Sequence, residues 1–170
     1  MSEVVLVPAP NGFFCQEDPG EPGHGHKRWS INLMEARLLS EMFRGQSVLE
    51  IGTGLGVSTD KLASTAKIVH TVDIDEWVET NIVPTLPKNV VFYKDISKVP
   101  EGLDGAFIDG LHTFEQCTRD IKDARRIVKK GGLIVFHDLN IDQVKSAIIA
   151  SRLECYEIKT ISGIAFGWNE

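Results

Sequence analysis

From Ser47 to the C-terminus, short apolar runs alternate with longer stretches whose apolar residues recur at helical spacing. Ser47–Ile51, Ile68–Val72, Val90–Tyr93, Asp104–Ile108 and Leu133–Phe136 are four or five residues long and mostly apolar, the pattern of strands buried on both faces. Ser58–Ala66, Glu76–Ile82, Phe114–Val128 and Ile141–Ser151 fall between or after them as helices, the long one closed by Gly131-Gly132. Before the first strand, Ser30 reads as an N-cap. Leu33, Met34, Leu38 and Met42 then form an apolar stripe opposite Arg37, Glu41 and Arg44, and Gly45 ends the helix. The tail reads as two strands, Cys155–Thr160 and Ile164–Trp168, joined by a turn at Ser162-Gly163. Strands separated by helices require right-handed crossovers and parallel pairing, whereas the last pair has a connection too short for a crossover. The predicted fold is therefore α/β: a doubly wound, Rossmann-like, mostly parallel sheet with helices on both faces and an antiparallel C-terminal strand pair.

The pattern fails only at the start. Pro8–Lys27 holds Pro8, Pro10, Gly12, Pro19, Gly20, Pro22, Gly23 and Gly25, too many breakers for regular structure. Residues 1–29 are read as an N-terminal loop or lid segment and residues 30–170 as one domain, a division that a chain of 170 residues accommodates. Composition adds exclusions. A net charge of −6 repels phosphate backbones and anionic lipid, so a nucleic-acid partner is not expected. The basic residues Arg125, Arg126, Lys129 and Lys130 read as a helix end, where cations suit the dipole. Three separated cysteines, Cys15, Cys117 and Cys155, with no signal-peptide pattern and no long apolar run, point to a reducing, cytoplasmic setting without membrane association. A homo-oligomer is compatible with all of this.

Chemistry is expected beyond the carboxyl ends of the parallel strands. Glu50 and a glycine turn follow the first strand, Asp73 and Asp75 the second, Asp95 the third, Asp109 the fourth, and His137-Asp138 the fifth. Five strands releasing a carboxylate at one rim predict a functional cleft. The turn reads Glu50-Ile51-Gly52-Thr53-Gly54-Leu55-Gly56-Val57-Ser58. Glycines bend the chain sharply and let a ligand approach its backbone. A dinucleotide fingerprint needs GxGxxG, but Val57 stands where its third glycine belongs, and the spacing is GxGxG. A carboxylate ahead of the turn does little for a diphosphate; it favours a ligand bearing an ammonium group. Asp73, about 20 residues past the turn, is placed for ribose hydroxyls. Ile74 beside it and the pair Asp95-Ile96 offer apolar and polar flanks for a base.

The run Val48–Ser58 (VLEIGTGLGVS) resembles the first motif of class I methyltransferases. Thr71–Asp75 (TVDID) resembles their second, and Asp104–Glu115 (DGAFIDGLHTFE) with Gly131–Asp138 (GGLIVFHD) their later ones. The likeness runs from about Ser30 to the end, and its later motifs are similar to those of catechol and macrolide-sugar O-methyltransferases. It implies S-adenosylmethionine (SAM) as cofactor, with Glu50, Gly52, Thr53, Gly54, Gly56 and Ser58 around the methionine part. Asp73 and Ile74 would hold the ribose and Asp95 with Ile96 the adenine. It further implies a magnesium-type divalent cation on Asp109 and Asp138, with Asp109 also facing the cofactor, and His112 as the base acting on a small-molecule hydroxyl. Two departures stand out. Leu139 replaces an asparagine ligand of the catechol enzymes, and His137 stands where the sugar enzymes have a carboxylate.

Two other functions remain open on sequence: a non-catalytic SAM-binding partner subunit and a nicotinamide-dependent oxidoreductase. His24 and His26 read as loop positions, His70 as structural, and Trp29 and Trp168 as packing residues.

Overall fold

The computed structural model describes residues 31–170, so the loop or lid assigned to 1–29, together with Ser30, His24, His26, Trp29 and Cys15, lies outside the described residues. Helix α1 spans Leu33–Met42, starting later than expected because its N-cap is Asn32 and not Ser30. The Asn32 side chain accepts from the Met34 and Glu35 amides, while the Glu35 carboxylate accepts from the Asn32 amide, a reciprocal capping box. Then come β1 (Ser47–Ile51), α2 (Val57–Ala63), β2 (Ile68–Val72), α3 (Glu76–Asn81), β3 (Val90–Tyr93), β4 (Leu103–Ile108), α4 (Phe114–Ile127), β5 (Val128–Phe136), α5 (Asp142–Ser151), β6 (Cys155–Ile158) and β7 (Ile164–Trp168). Single 3₁₀ turns follow α3 and β3.

The sheet order is β3-β2-β1-β4-β5-β7-β6. The first five strands are parallel, and β7 runs antiparallel to both β5 and β6. The expected doubly wound sheet with a reversed C-terminal pair is what forms. Its order reverses between β1 and β4, whose carboxyl ends carry the glycine turn and Asp109. One core lies between the sheet and α4 and α5, with Leu49, Ile108, Ile121, Ala124, Phe136 and Ile148. The other lies under α1 and α2, with Leu39, Phe43, Val48, Leu62, Phe107 and Ile164. No helix among the described residues is long and apolar enough to cross a membrane.

Two further local expectations are corrected. The buried face of α1 is Glu35, Ala36 and Leu39, continued by Phe43, whereas Leu33 is 53% exposed and Met34, Leu38 and Met42 are half-buried. A stripe through 35, 39 and 43 has equally good helical spacing, but it carries a carboxylate that only tertiary partners make buriable. The glycine pair does not close the long helix either. α4 ends at Ile127, β5 begins at Val128, and Gly131-Gly132 lies inside the strand. There Gly131 takes φ +74°, and a Cβ on Gly132 would stand 2.4 Å from Val128 Cγ1 and 2.7 Å from the Asp104 carbonyl. The strand crowds against β4 where its register shifts between Leu103 and Gly105, and only glycine fits. Lys129 thus belongs to the strand, and its Nζ pairs with Asp104 Oδ1 at 2.6 Å.

Candidate functional site

The three turn glycines have three different physical reasons. A Cβ on Gly52 would lie 2.1 Å from the backbone oxygen of Asp109, so this glycine permits the close approach of the β4 loop. Gly56, at φ +76°, caps α2, and a Cβ there would meet Ile82 at 2.9 Å. Of the three, only Gly54, at φ +49°, has no atom of the described residues within 4 Å of its missing Cβ. Beside it, Asp73 Oδ2 accepts from the Gly54 amide at 2.9 Å and Oδ1 from the Asp75 amide at 3.0 Å. A carboxylate has about four acceptor positions, so two remain for hydroxyl groups. Ile74 is 84% exposed at this edge. Asp95 caps the turn Ile96–Lys98 by accepting from the Ser97 amide, which holds its carboxyl below the usual range, and Ile96 is half-buried next to it.

Beneath the turn, Glu50 is wholly buried. Its Oε2 accepts from the hydroxyls of Thr59 and Thr71, both at 2.6 Å, while Oε1 has no partner among the described residues. Thr53 is also turned inward, 2.7 Å from Thr71 Oγ1. Ser58 lies near enough to favour the ionised carboxylate but does not reach hydrogen-bond geometry with Oε1. The side chains of Thr53 and Ser58 therefore serve the floor of the site rather than its opening. Burial pushes the Glu50 carboxyl up to about 7 against the pull of its hydroxyl neighbours, and the Asp109 carboxylate raises it further. A buried orphan oxygen in the field of a second carboxylate is an arrangement that a cationic ligand group relieves.

Across the β1–β4 junction, Asp109, His112, His137 and Asp138 meet. His112 Nε2 is 3.0 Å from Asp138 Oδ2 and 3.5 Å from Asp109 Oδ1, but its N–H is aimed at neither, so the contact is an ion pair without a well-directed hydrogen bond. His137 Nδ1 is 3.2 Å from both Asp109 Oδ1 and Asp138 Oδ2. The Asp109 and Asp138 carboxylates raise His112 to about 9 despite partial burial. Burial acts to lower His137, yet Asp109, Asp138 and Glu35 together push it up to about 12. Burial raises Asp109 and Asp138, but the two imidazoles prevail and hold both below the ordinary carboxylate range. Asp138 adopts φ +54°, a left-handed conformation that turns its carboxylate back into the cluster.

Glu35 is the residue sequence reasoning missed. It lies at the base of the cluster, with Oε2 3.1 Å from His137 Nε2 and Oε1 accepting from the Thr160 hydroxyl at 2.5 Å and the Ser162 amide at 3.3 Å. Its position four residues before Leu39, on the buried face, was the signal available. His70, expected to be structural, is buried with Nδ1 3.0 Å from the Tyr93 hydroxyl.

Among the solved structures that share this fold are three methyltransferases. The O-methyltransferase TomG of Streptomyces achromogenes, in complex with SAM, superposes with TM-score 0.69 at 14% identity, covering 82% of this chain and 81% of that one. An O-methyltransferase from Bacillus cereus in complex with SAH gives 0.67 at 18%, covering 85% and 83%. The tRNA (m1A58) methyltransferase TrmI of Aquifex aeolicus gives 0.66 at 21%, covering 86% and 72%. At such identities the likeness is one of fold, and it spans small-molecule and RNA modification alike. A curated relative, the uncharacterised protein R132 of Acanthamoeba polyphaga mimivirus, is 28% identical over 110 residues, 53% of this chain and 50% of that protein, so the match spans about half of that relative's length. The family model described as a methyltransferase domain matches residues 49–139, from Leu49 in β1 to Leu139 beyond β5, and the chain belongs to that family.

Proposed function

We propose that this protein is a SAM-dependent methyltransferase acting on the hydroxyl of a small molecule, with a divalent cation beside the acceptor. The observation that carries the reading is the division of the rim. A surface suited to a nucleoside-bearing cation, Gly54 with Asp73 and Ile74, adjoins a polar cluster, Asp109 with His112 and Asp138, across a single strand junction. Membership of the methyltransferase family sets aside the nicotinamide reading.

The residues present fit the cofactor. Gly54 leaves room for its body, Asp73 retains free acceptor positions for ribose hydroxyls, and Ile74 and Ile96 offer apolar flanks to the base. Glu50, with its unpartnered oxygen and Asp109 nearby, supplies negative charge under the amino-acid end. When bound, SAM supplies a methyl group on a sulfonium, transferred by in-line displacement, so the protein's work is chiefly positioning and exclusion of water.

The cluster fits a cation as well: Asp109 and Asp138 would hold it through hard carboxylate oxygens. A divalent ion there would compensate the two aspartates and polarise the acceptor hydroxyl. His112, one-third exposed and without a directed hydrogen bond, then stands at the rim as the group that takes the hydroxyl proton once its carboxylate neighbours are compensated. The test is direct. Methyl transfer from SAM to a panel of phenolic and sugar hydroxyls, with and without magnesium or manganese, should show activity that chelation removes. SAM binding without transfer to any acceptor would leave a cofactor-binding partner subunit instead.

A further inference from the structure

His137 Nδ1 is 3.2 Å from both Asp109 Oδ1 and Asp138 Oδ2, and one ligand atom from each of the three residues lies within 4.8 Å of the others. Metal–ligand bonds of about 2.1 Å meeting at right angles hold neighbouring donors about 3 Å apart, so this is the spacing of ligands on adjacent corners of a coordination shell. His112 Nε2 is not part of that converging set. It lies 3.0 Å from Asp138 Oδ2 and 3.5 Å from Asp109 Oδ1.

What separates His137 from an ordinary hydrogen-bonded histidine is its other nitrogen. Nε2 faces Glu35 Oε2 at 3.1 Å, and Glu35 is wholly buried. The remaining groups around that carboxylate are the Asn32 amide, the Thr160 hydroxyl and the Ser162 amide, all donors. A buried carboxylate saturated by donors accepts only, so His137 must present N–H at Nε2. Asp109 and Asp138 likewise accept only, so without an ion Nδ1 carries a hydrogen too; a cation that displaces this hydrogen meets an Nδ1 lone pair aimed between the two carboxylates. A carboxylate on the far nitrogen of a ligating imidazole is the arrangement that orients a metal-bound histidine and increases its basicity.

Resting on the reading of Asp109 and Asp138 as a cation site, we propose that His137 Nδ1 is the third protein ligand, oriented by Glu35, and that the site prefers a first-row transition ion to magnesium. Two carboxylate oxygens alone suit magnesium or calcium. An imidazole nitrogen in the donor set favours ions of the cobalt, nickel and zinc class. The same contacts tie the site to α1 and to the β6–β7 turn, because Glu35 joins Asn32, Thr160 and Ser162 to His137.

The test uses the full-length protein stripped of metal by chelator and desalted. Cobalt(II) chloride is titrated while visible absorption is recorded, and magnesium chloride is titrated by calorimetry. One equivalent of cobalt should bind, giving ligand-field bands that a thousandfold excess of magnesium does not remove. His137→Ala should weaken cobalt at least tenfold and abolish the preference over magnesium, Glu35→Gln should weaken cobalt roughly ten- to a hundredfold, and Asp109→Asn should remove both ions. Unchanged SAM affinity certifies that the His137 and Glu35 variants are folded, and a cooperative thermal melt certifies Asp109→Asn, which borders the SAM site itself. In the wild-type protein, long-range proton–nitrogen spectra with zinc supply a measurement that needs no variant: Nδ1 of His137 should shift while Nε2 keeps its hydrogen. Cobalt affinity equal in wild type and His137→Ala, magnesium bound more tightly than cobalt, or an unmoved Nδ1 overturns the third ligand while leaving the aspartate site standing. Failure of the wild type to bind either ion overturns the aspartate site with it.

Discussion

Single residues here answer different questions, and substitutions separate them. Gly52→Ala drives a Cβ against the Asp109 backbone at a positive φ and should cost about 3 kcal/mol or more in denaturant unfolding. Gly54→Ala meets open space, so it should cost only about 1 kcal/mol for its left-handed backbone while weakening SAM measurably in calorimetry. Glu50 carries a second test. Its folded pKa, about 7, lies above the ordinary 4.5 of an unfolded glutamate, so the folded form holds its proton more tightly. Its contribution to stability is therefore complete below pH 4.5 and lost as pH rises through about 7. Thermal melts should show that decline in the wild type and lose its Glu50 component in Glu50→Gln, which should also bind SAM at least about tenfold more weakly. His112→Ala should keep SAM affinity and lower turnover about a hundredfold or more, whereas Asp73→Ala should mainly weaken binding. Turnover unchanged in the His112 variant would remove it from the mechanism.

Among the elements, α1 shows how far a pattern reaches. Its existence was readable from helical spacing, but its start and its rotation were not: Asn32 rather than Ser30 caps it, the buried stripe includes Glu35, and a carboxylate becomes buriable only when Asn32, His137, Thr160 and Ser162 surround it. The capping box holds this helix in place, so Asn32→Ala should lower stability by about 1 kcal/mol, measured as a shift of the denaturation midpoint. β5 teaches the same lesson from the other side. Gly131-Gly132 reads as a helix stop in isolation, yet packing against Val128 and Asp104 makes it a crowded bend within a strand. β1 and β2, by contrast, lie where their apolar runs put them, because strands buried on both faces announce themselves by composition alone, and the half-buried edge strand β3 also matches its short apolar run.

At the scale of the whole molecule, binding and stability are linked. A ligand held only by the folded chain stabilises it by about 2.7 kcal/mol at a hundred times its dissociation constant. For a domain of this size, SAM or S-adenosylhomocysteine should therefore raise the melting temperature by several degrees, and NAD should not. Equal stabilisation by NAD would contradict the cofactor assignment. By itself the amino-acid order determined the alternation of strands and helices, hence a parallel sheet, a reversal of strand order and a rim of carboxylates at the strand ends. These follow from local periodicity and from the geometry of crossovers. Tertiary structure alone decided which carboxylates are buried and what they face. Glu50 and Glu35 lie beneath the rim, and His137, read as a departure from pattern, joins Asp109 and Asp138 at its centre. The reason is that charge and tautomer are set by partners distant in sequence: Glu35 meets His137 from 102 positions away, and no periodicity carries that information.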